Sequence, residues 1–299
     1  MFIIKNKKIF ITISTVLVVA SIVVLSVFGL KFGIDFKGGA LFEAEYAGSR
    51  PAVSEVQKSL EGLSLGEVLV QPTGVNGYII KSRELSDAEH TALLAALSEG
   101  GKYQVLEKSF TSIGPSVGDE LKRKAIFSIV AVMLAIILFI AYAFSKISKP
   151  VSSWKYGLIA VVTLMHDILI PAGMFALMGH YLGAEVDTLF VVALLTILGL
   201  SVSDTIVVFD RIRENIRNHI SNDFEQTVGT SLSQTFTRSI NTSLTVILVL
   251  LSLFFFGPES TKNFALVLTV GLFVGTYSSI FLASPLLVVW EQFGKNKKK

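Results

Sequence analysis

The 299-residue chain is 52% hydrophobic and only 16% charged, with a mean hydropathy of +0.65, which excludes an ordinary soluble protein and indicates a polytopic membrane protein. The absence of cysteine excludes disulfides and thiolate metal sites, but not a metal site of histidine and carboxylate ligands. The net charge is only +3, and the basic residues stand mostly beside hydrophobic runs, which argues against nucleic-acid binding.

Six hydrophobic runs are long enough to cross about 30 Å of hydrocarbon as helices. The first is too long for the apolar core of a signal peptide and no A-x-A site follows it, so we interpret it as a retained anchor. The runs cover residues 9–30, 125–144, 156–178, 188–209, 237–256 and 264–290. They predict four parts: a cytoplasmic N-terminus with the first span (1–30), a folded domain (31–123), a five-helix bundle (124–290) and a basic tail (291–299).

The positions of lysine and arginine predict that both termini are cytoplasmic. With that orientation the short outer loops carry only Lys262, whereas the short cytoplasmic segments carry the basic clusters at 5–8, 146–155, 211–217 and 295–299, as the positive-inside rule requires. Three basic residues at positions 122–124 run against the rule. They end the long 31–123 segment, and long domains translocate largely regardless of charge, so we predict that this domain is extracytoplasmic.

The motif GIDFKGG (33–39) follows the first run. Gly38 and Gly39 can adopt backbone angles closed to other residues, so the motif, which also contains Phe36, predicts a sharp turn from helix to strand. From local chemistry alone it is a glycine turn beside a membrane exit. Asp35 is interpreted as a solvated or capping group, because no second acid or histidine stands at metal-ligand spacing.

The domain that follows is predicted to be a small α+β fold. Alternating hydrophobicity, turn residues and a capping box at Ser86 and Glu89 predict six elements. In chain order they are a strand (40–46), a helix (51–60), two strands (66–71 and 77–82), a helix through Leu97 and a last strand (103–110). The order β-α-β-β-α-β matches the ferredoxin-like motif, which hosts many functions and names no ligand.

His166 and Asp167 are two titratable residues in the third run. Adjacent residues on a helix point about 100° apart, which suits contacts to neighbouring helices better than a shared metal site. We therefore predict structural polar contacts here and no metal. The chain also lacks a Walker A pattern, a nucleophile constellation and an HExxH motif, so no catalytic residues and no enzyme activity are expected.

Asp204 lies in the fourth run, which is otherwise apolar. A charged aspartate at the centre of a membrane helix costs roughly 2.5–3.5 kcal/mol, and such acids tend to face protein or water and to mark ion or proton pathways. Ser201 and Thr205 share its helix face, and Ser203 stands beside it. Asp204 is about five residues from the inner end of the run, roughly 8 Å below the cytoplasmic edge.

The motif DRIREN (210–215) follows the fourth run. We interpret it as a cytoplasmic helix end whose arginines obey the positive-inside rule. Its polar residues are candidate site residues: Asp210, Arg211, Arg213, Glu214 and Asn215.

The fifth run supplies a candidate partner for Asp204. Its fully apolar part is too short to cross the bilayer, so the helix must include the upstream stretch TRSINTS, which brings Arg238 to the inner membrane edge. Contact with Arg238 would favour ionised Asp204, and separation would favour the protonated acid. From the residues alone three interpretations stay open: a static ion pair, proton or cation coupling, and an unrelated substrate site.

Several motifs in fixed order resemble the SecD/SecF family of Sec translocon proteins, and most closely its smaller, SecF-type members. They are GIDFKGG, the HD pair, SVSDTIVVFDRIREN and TRSINTSLTVI, and the resemblance covers essentially the whole chain. The family usually has asparagine where Ser203 stands, and serine keeps a hydrogen-bonding group there. The resemblance implies a six-helix membrane bundle, similar to half of an RND-type transporter, with one extracytoplasmic ferredoxin-like domain.

The resemblance also implies a function. Such proteins use the proton gradient, together with SecD, to complete preprotein export across the bacterial or archaeal cytoplasmic membrane. Asp204 and Arg238 match the membrane residues implicated in proton flow, and Gly38 and Gly39 match the motif at the base of the moving outer domain. We hypothesise that protonation of Asp204 loosens its pairing with Arg238 and moves the 31–123 domain.

The partners implied are a SecD-like subunit, the SecYEG channel, YajC or YidC, an unfolded preprotein and membrane lipid, with no cofactor and no nucleic acid. Two other functions remain open. The chain could be a structural subunit for assembly whose partner holds the coupling chemistry. It could also be half of an RND-type small-molecule exporter, although such pumps usually carry two large outer domains in one chain.

Overall fold

The computed structural model describes residues 2–143 and 153–296 of the chain. The predicted end of the second hydrophobic run at Phe144 lies outside these residues, as do the basic positions Lys146, Lys149 and 297–299. The chain divides into two units. One comprises Met1–Lys31 and Phe127–Lys299, and the other comprises Phe32–Ile126.

Helices dominate the described residues, and four strands lie near the first third of the chain. The elements are α1 (Phe2–Lys5), α2 (Lys7–Phe28), α3 (Ile34–Lys37), β1 (Gly39–Tyr46), α4 (Val53–Leu60), β2 (Leu69–Thr73), β3 (Gly77–Ser82), α5 (Asp87–Leu97), β4 (Val105–Ile113), α6 (Pro115–Ala143), α7 (Ser153–Leu182), α8 (Thr188–Arg217), α9 (Phe224–Phe256), α10 (Glu259–Ser278) and α11 (Ser284–Asn296). A π-helical segment, Ser279–Ala283, joins α10 to α11.

Six helical stretches within the described ranges are long and apolar enough to cross a membrane, which confirms the predicted fold class. They are α2, α6, α7, α8, α9 and the continuous stretch from α10 into α11. Three of them extend well beyond the predicted runs, and the first of these, α6, begins at Pro115 rather than at residue 125. Helix α8 continues to Arg217 and α9 begins at Phe224, because hydropathy detects only the apolar part of a helix and not its polar continuation.

The smaller unit is a four-stranded antiparallel sheet in the order β2-β3-β1-β4. This is the strand order of the predicted ferredoxin-like motif. Alternate residues of β1 are buried, so one face of the sheet forms a core with the two helices that follow β1 and β3. Phe42 and Tyr46 of β1 join Leu60 of α4 and Leu93 of α5 in that core.

The predicted capping box begins α5. The Ser86 side chain accepts a hydrogen bond from the Glu89 N–H, and the Glu89 carboxylate accepts one from the Ser86 N–H at 2.9 Å. Arg83 also donates to Glu89 and, with the bonds from Ser86, lowers the pKa of that carboxyl to about 2. The carboxylate is therefore ionised at neutral pH and satisfies backbone groups at the start of the helix.

In the membrane unit, α2 and α7 pack closely along their length. Ser21 lies against Gly173, where a Cβ would be only 2.7 Å from the serine Cβ. Phe28 contacts His180 with ring centroids 4.4 Å apart. The second contact lies seven residues, or about two turns, after the first on both helices. The two helices therefore run parallel.

Helix α9 presents a buried row of small hydroxyl residues to its neighbours. The row repeats every four residues, which places its members on one face. Small side chains allow close approach of helices in a membrane, and hydroxyl groups can also bond across the contact. The row consists of Thr227, Ser231, Thr235, Ser239 and Ser243.

Replacing Gly173 with alanine is expected to destabilise the membrane unit by about 1–3 kcal/mol, because the new methyl group has no room against Ser21. Gly157→Ala in the same helix is the control, since nothing lies within 4 Å of its Cβ position. Thermal unfolding of the purified chain in detergent should show a lower midpoint for Gly173→Ala only. Equal midpoints for both variants would contradict the close α2–α7 contact.

Candidate functional site

Asp204 lies on α8 and is only partly exposed. Its Oδ2 accepts a hydrogen bond of 3.3 Å from the Ser243 hydroxyl on α9. The Ser243 oxygen in turn lies 2.5 Å from the Thr276 hydroxyl on α10, which is also 2.9 Å from the Leu272 carbonyl. Three membrane helices are thus joined by a short chain of hydroxyl groups that ends at a carboxylate.

This hydroxyl chain can be polarised in two ways, because each hydroxyl has one hydrogen. When Thr276 donates to Ser243, Ser243 donates to Asp204. When Thr276 donates to the Leu272 carbonyl, it can accept from Ser243 instead, and Asp204 then needs another donor or a proton. The arrangement therefore links the protonation of one side chain to the contacts of two neighbouring helices.

Arg238 does not form an ion pair with Asp204 within the part of the chain that the structure describes. It is exposed on α9, yet close enough to act electrostatically on the Asp204 carboxylate. The buried row of α9 explains this placement. Ser239 belongs to the row, and Arg238 precedes it by one residue, so it points about 100° away from the buried face.

Arg238 lines a cleft between α8 and α9 with Asp210, Arg211, Glu214 and Gln234. The residues of the DRIREN motif therefore surround the same opening as the arginine. In this structure the Asp204 carboxylate accepts from a neutral donor, and Arg238 lines the adjacent cleft. The coupling role of the pair remains a prediction.

Asp167 is the most deeply buried acid of the membrane unit that the structure describes, with 0% exposure. Its Oδ2 accepts hydrogen bonds from Ser201 on α8 and from Ser278 on α10, the latter at 2.8 Å. Its Oδ1 lies 2.8 Å from Nδ1 of His166. Asp167 therefore connects α7, α8 and α10, as the sequence predicts for contacts to neighbouring helices.

The structure adds detail to two expectations from helix geometry. His166 and Asp167 were expected to diverge, but the imidazole reaches back to the carboxylate because a side chain of this length can span the angle between adjacent Cβ atoms. Ser201 shares the helix face of Asp204, as expected, but bonds Asp167. Thr205 is buried without a bonding partner among the described atoms, and Ser203 is exposed.

The DRIREN segment is part of a long helix and fastens it to α9. Arg211 donates to Gln234 at 2.6 Å, and Asn215 donates to Ser231 and Gln234, both at 2.8 Å. Arg211 also pairs with Glu214. Asp210 and Arg213 form a weaker ion pair of 3.6 Å. The motif is thus more than a charged helix end, because it fixes the α8–α9 contact.

The GIDFKGG motif forms the predicted turn from α3 into β1. Gly38 has φ +78° and Gly39 has φ +131°, both in the region that favours glycine. A Cβ on Gly38 would lie 2.8 Å from the Pro115 nitrogen, and one on Gly39 would lie 2.9 Å from the Ser82 oxygen. Phe36 is buried, and Asp35 lies in the single turn of α3.

Gly118 completes this glycine contact and was missed by the sequence analysis. A Cβ there would lie 3.0 Å from the Gly38 nitrogen. The chain segments that enter and leave the smaller unit therefore meet backbone to backbone at Gly38 and Gly118. The sequence around Gly118, three residues after Pro115, gave no local signal. Glycine is needed there because of the contact with Gly38, which lies about 80 residues earlier in the sequence.

Ser243, Thr276 and Ser278 were also missed. Ser243 ends the polar stretch TRSINTS, and its four-residue spacing from Ser239 was the signal that could have found it. Thr276 and Ser278 lie in the mostly apolar sixth run, where no such spacing stands out. Among the residues that the structure describes, no group of three or more histidine or acidic side chains could hold a metal ion.

Sequence comparison identifies the family of the chain. A family pattern described as "Protein export membrane protein SecD/SecF, C-terminal" matches residues 93–293, and one described as "SecD/SecF GG Motif" matches residues 23–49. The chain belongs to the SecD/SecF family. The longer match contains Asp167, Asp204 and Arg238, and the shorter one contains Gly38 and Gly39.

Individual members of the SecD/SecF family are similar over nearly the whole chain. The chain is 41% identical to the protein translocase subunit SecF of Thermobaculum terrenum, over 97% of this chain and 93% of that protein. It is 38% identical to the SecF of Anaerolinea thermophila, over 97% of this chain and 94% of that protein.

A solved structure of the SecD/SecF family has the same fold. The crystal structure of SecDF, a translocon-associated membrane protein from Thermus thermophilus, superimposes with a TM-score of 0.80 at 30% sequence identity. The match covers 97% of this chain and 38% of that SecDF chain. The chain is therefore similar to a part of SecDF.

Gly38→Ala is expected to destabilise the smaller unit, because alanine is strained at this φ and its methyl group would meet the Pro115 backbone. We expect a cost of at least about 1–2 kcal/mol. Gly48→Ala is the matched control, since its Cβ position is open. Thermal unfolding of the purified chain measures both. A Gly38→Ala midpoint equal to that of Gly48→Ala would show that the contact can relax.

Proposed function

We propose that the chain is the proton-coupled, SecF-type subunit of a Sec export complex and completes preprotein movement with a SecD-like partner. Its membership of the SecD/SecF family and its similarity to translocase subunits support a role in Sec-dependent export. The observation that carries the proton-coupled part is the Asp204 carboxylate, held in a membrane helix by a neutral hydroxyl.

Asp204 suits proton binding because, among the described residues, no opposite charge lies within ion-pair distance of its carboxylate. A carboxylate in hydrocarbon is costly unless it is paired, protonated or hydrated. Ser243 supplies one hydrogen bond, which stabilises the anion without neutralising it. Protonation from a water-accessible side removes the negative charge of Asp204. Alternatively, Arg238 approaches from the cleft and compensates that charge with its own positive charge.

The energy available is adequate for such a switch. Each charge that crosses the membrane gains about 2.3 kcal/mol per 100 mV. This amount changes an equilibrium constant tens-fold. This energy is also comparable with the roughly 1.5–3 kcal/mol that one hydrogen bond to a charged group contributes. One proton crossing the membrane can therefore compensate for the loss of the hydrogen bond from Ser243 to ionised Asp204.

The hydroxyl chain gives protonation a mechanical consequence. Ionised Asp204 accepts from Ser243, whereas a neutral carboxyl group can donate to it and reverse the polarity of the chain to Thr276. The preferred contacts of α9 and α10 with α8 therefore differ between the two states. In this proposal, the helix rearrangement drives movement of the 31–123 domain, whose base contains Gly38 and Gly39.

The proposed topology places both termini in the cytoplasm and the 31–123 domain outside. The proposed parts are residues 1–30, 31–123, 124–290 and 291–299. The cleft that Arg238 lines then opens toward the cytoplasm, on the side from which Asp204 releases its proton.

The proposed partners are a SecD-like subunit, the SecYEG channel with YajC or YidC, and an unfolded preprotein. Similarity to part of SecDF supports a SecD-like partner. Only 6% of the residues in the most apolar 18-residue stretch of α6 are buried. Phe127 and Leu138 of this helix are largely exposed. We propose that lipid and the SecD-like partner cover this surface. The subunit itself catalyses no covalent reaction.

The alternative is a structural subunit for assembly, which the DRIREN contacts favour. Asn215, Ser231 and Gln234 bond α8 firmly to α9 beside the cleft. In that case changes at Asp204 would act only through loss of the complex. Assembly must therefore be measured alongside export.

Asp204→Asn and Arg238→Met are expected to reduce proton-gradient-dependent export to the level seen without a gradient, because neither variant can make the charge exchange. Export into inverted membrane vesicles, with and without an uncoupler, measures this effect. Ser203→Ala is the control, since Ser203 is exposed beside Asp204. Co-purification with the SecD-like partner reports assembly.

Undiminished export in both Asp204→Asn and Arg238→Met would refute the proposed coupling. Loss of export together with loss of co-purification would instead support the assembly function.

Ser243→Ala is expected to lower gradient-dependent export several-fold, but less than Asp204→Asn, because it removes one donor and leaves the carboxyl group in place. Ser252→Ala is the matched control in α9, since Ser252 is exposed. The same vesicle assay measures both. If the two serine variants behave alike, the hydroxyl chain has no part in the coupling.

A further inference from the structure

His166 and Asp167 form a buried pair at the centre of the membrane unit, separate from the Asp204 contact. Their exposures are 2% and 0%, and His166 Nδ1 lies 2.8 Å from Asp167 Oδ1. The other carboxylate oxygen accepts from Ser201 and Ser278. Each partner of the ionised carboxylate in the described chain can donate a hydrogen bond, and His166 is the only one that can carry a positive charge.

The pair must hold a movable proton to remain neutral. A buried carboxylate in a membrane is costly without a compensating charge. Neutrality requires either imidazolium with carboxylate or neutral imidazole with carboxylic acid, and these forms differ only in the position of one proton. Loss of that proton leaves a net negative charge, which the hydroxyl groups of Ser201 and Ser278 stabilise by donating hydrogen bonds.

The far side of the imidazole is unpaired among the described residues. His166 Nε2 is buried and has no hydrogen-bond partner among the described atoms, and the same holds for the Ser14 hydroxyl on α2. The α2–α7 contacts at Ser21–Gly173 and Phe28–His180 are seven residues apart on both helices. Seven residues before Ser21–Gly173, the same register brings Ser14 and His166 to one level.

Helix α10 encloses the pair with an irregular segment. The Tyr277 ring stacks on His166 at a centroid distance of 6.3 Å, and its hydroxyl lies 3.4 Å from the Phe10 carbonyl on α2. The π-helical segment Ser279–Ala283 begins directly after Ser278. Single π turns inside α-helices are frequent at functional sites.

Among the described residues, no other charged group contacts the pair from the helices packed against α7. On α10 the titratable neighbour is Tyr277, and on α8 it is Asp204, one turn beyond Ser201. The lysines of α2 stand at its start, with Lys7 about two turns before Ser14, and Glu291 lies on α11. Within the described residues, His166 is therefore the only group in contact with Asp167 that can carry a positive charge.

We propose that His166 and Asp167 form a second proton-binding site of this chain, which holds one exchangeable proton and is positioned by Ser201 and Ser278. The site shares helices α8 and α10 with the hydroxyl chain of Asp204, and Gly275 brings those helices close at Ser201, where a Cβ would be 3.0 Å from the serine Cβ. Proton exchange at one site therefore shifts the helices that hold the other. That second part rests on the proposed function.

Nuclear magnetic resonance of the full chain in lipid nanodiscs tests proton binding directly. Labelling histidine with nitrogen-15 gives ring signals from four residues, His90, His166, His180 and His219, and His166→Gln assigns the one of interest. The exposed His180 and His219 are internal controls. We expect the His166 ring signals to change with pH, and Asp167→Asn to shift the midpoint of that change, because the carboxylate that pairs with the imidazole is lost.

Ser278→Ala is expected to move the His166 midpoint in the same experiment by a smaller amount, and it keeps the proposal testable if Asp167→Asn fails to fold. Ser203→Ala should leave the midpoint unchanged. A His166 signal that stays constant while His180 and His219 titrate would overturn the proposal and show a static pair. A midpoint that neither Asp167→Asn nor Ser278→Ala moves would also overturn it.

Export measurements separate this proposal from the proposed function. We expect Asp167→Asn to lose at least about half of gradient-dependent export, and Asp167→Glu to restore part of it. If Asp204→Asn abolishes the gradient effect but His166 does not titrate, the second site fails and the proposed function stands. If His166 titrates but neither aspartate variant alters export, the proton site stands and the proposed function fails.

Discussion

The membrane unit depends on one constraint: an acid within the bilayer must be compensated by other parts of the protein. Two acids, Asp167 and Asp204, lie in helices that are otherwise apolar, and serine or threonine hydroxyls from neighbouring helices bond both of them. These residues are also small enough to allow close helix contact. Helix packing and acid chemistry therefore rest on the same side chains, and neither can change without the other.

The small hydroxyl row of α9 shows how this constraint orients a helix. The row turns one face of α9 inward and so fixes the direction of every other residue, including Arg238, which points toward the cleft. A hydroxyl group can donate or accept, so it adapts to a carboxylate that gains or loses a proton. An apolar residue of the same size would pack as well but would hold the acid in one charge state only.

Much of this arrangement was predictable from the sequence. The apolar runs gave six membrane helices, period-two and capping patterns gave the ferredoxin-like order, and the cost of a membrane carboxylate singled out Asp204. The rotation of α9 was not predictable from the depth of Arg238, since depth fixes the level of a residue but not its direction. Likewise, Ser278 and Gly118 acquire their importance from residues distant in sequence, and a local pattern cannot show such contacts.

The π-helical segment after Ser278 has a consequence for how the membrane unit could move. A π turn contains one residue more than an α turn, and it can migrate along a helix if hydrogen bonds are exchanged one at a time. Each such step rotates the residues it passes by about 100° while the helix stays continuous. Migration by a few residues toward the N-terminus would turn Ser278 and Tyr277 away from the buried pair. The irregularity would then act as a rotary joint within a membrane helix.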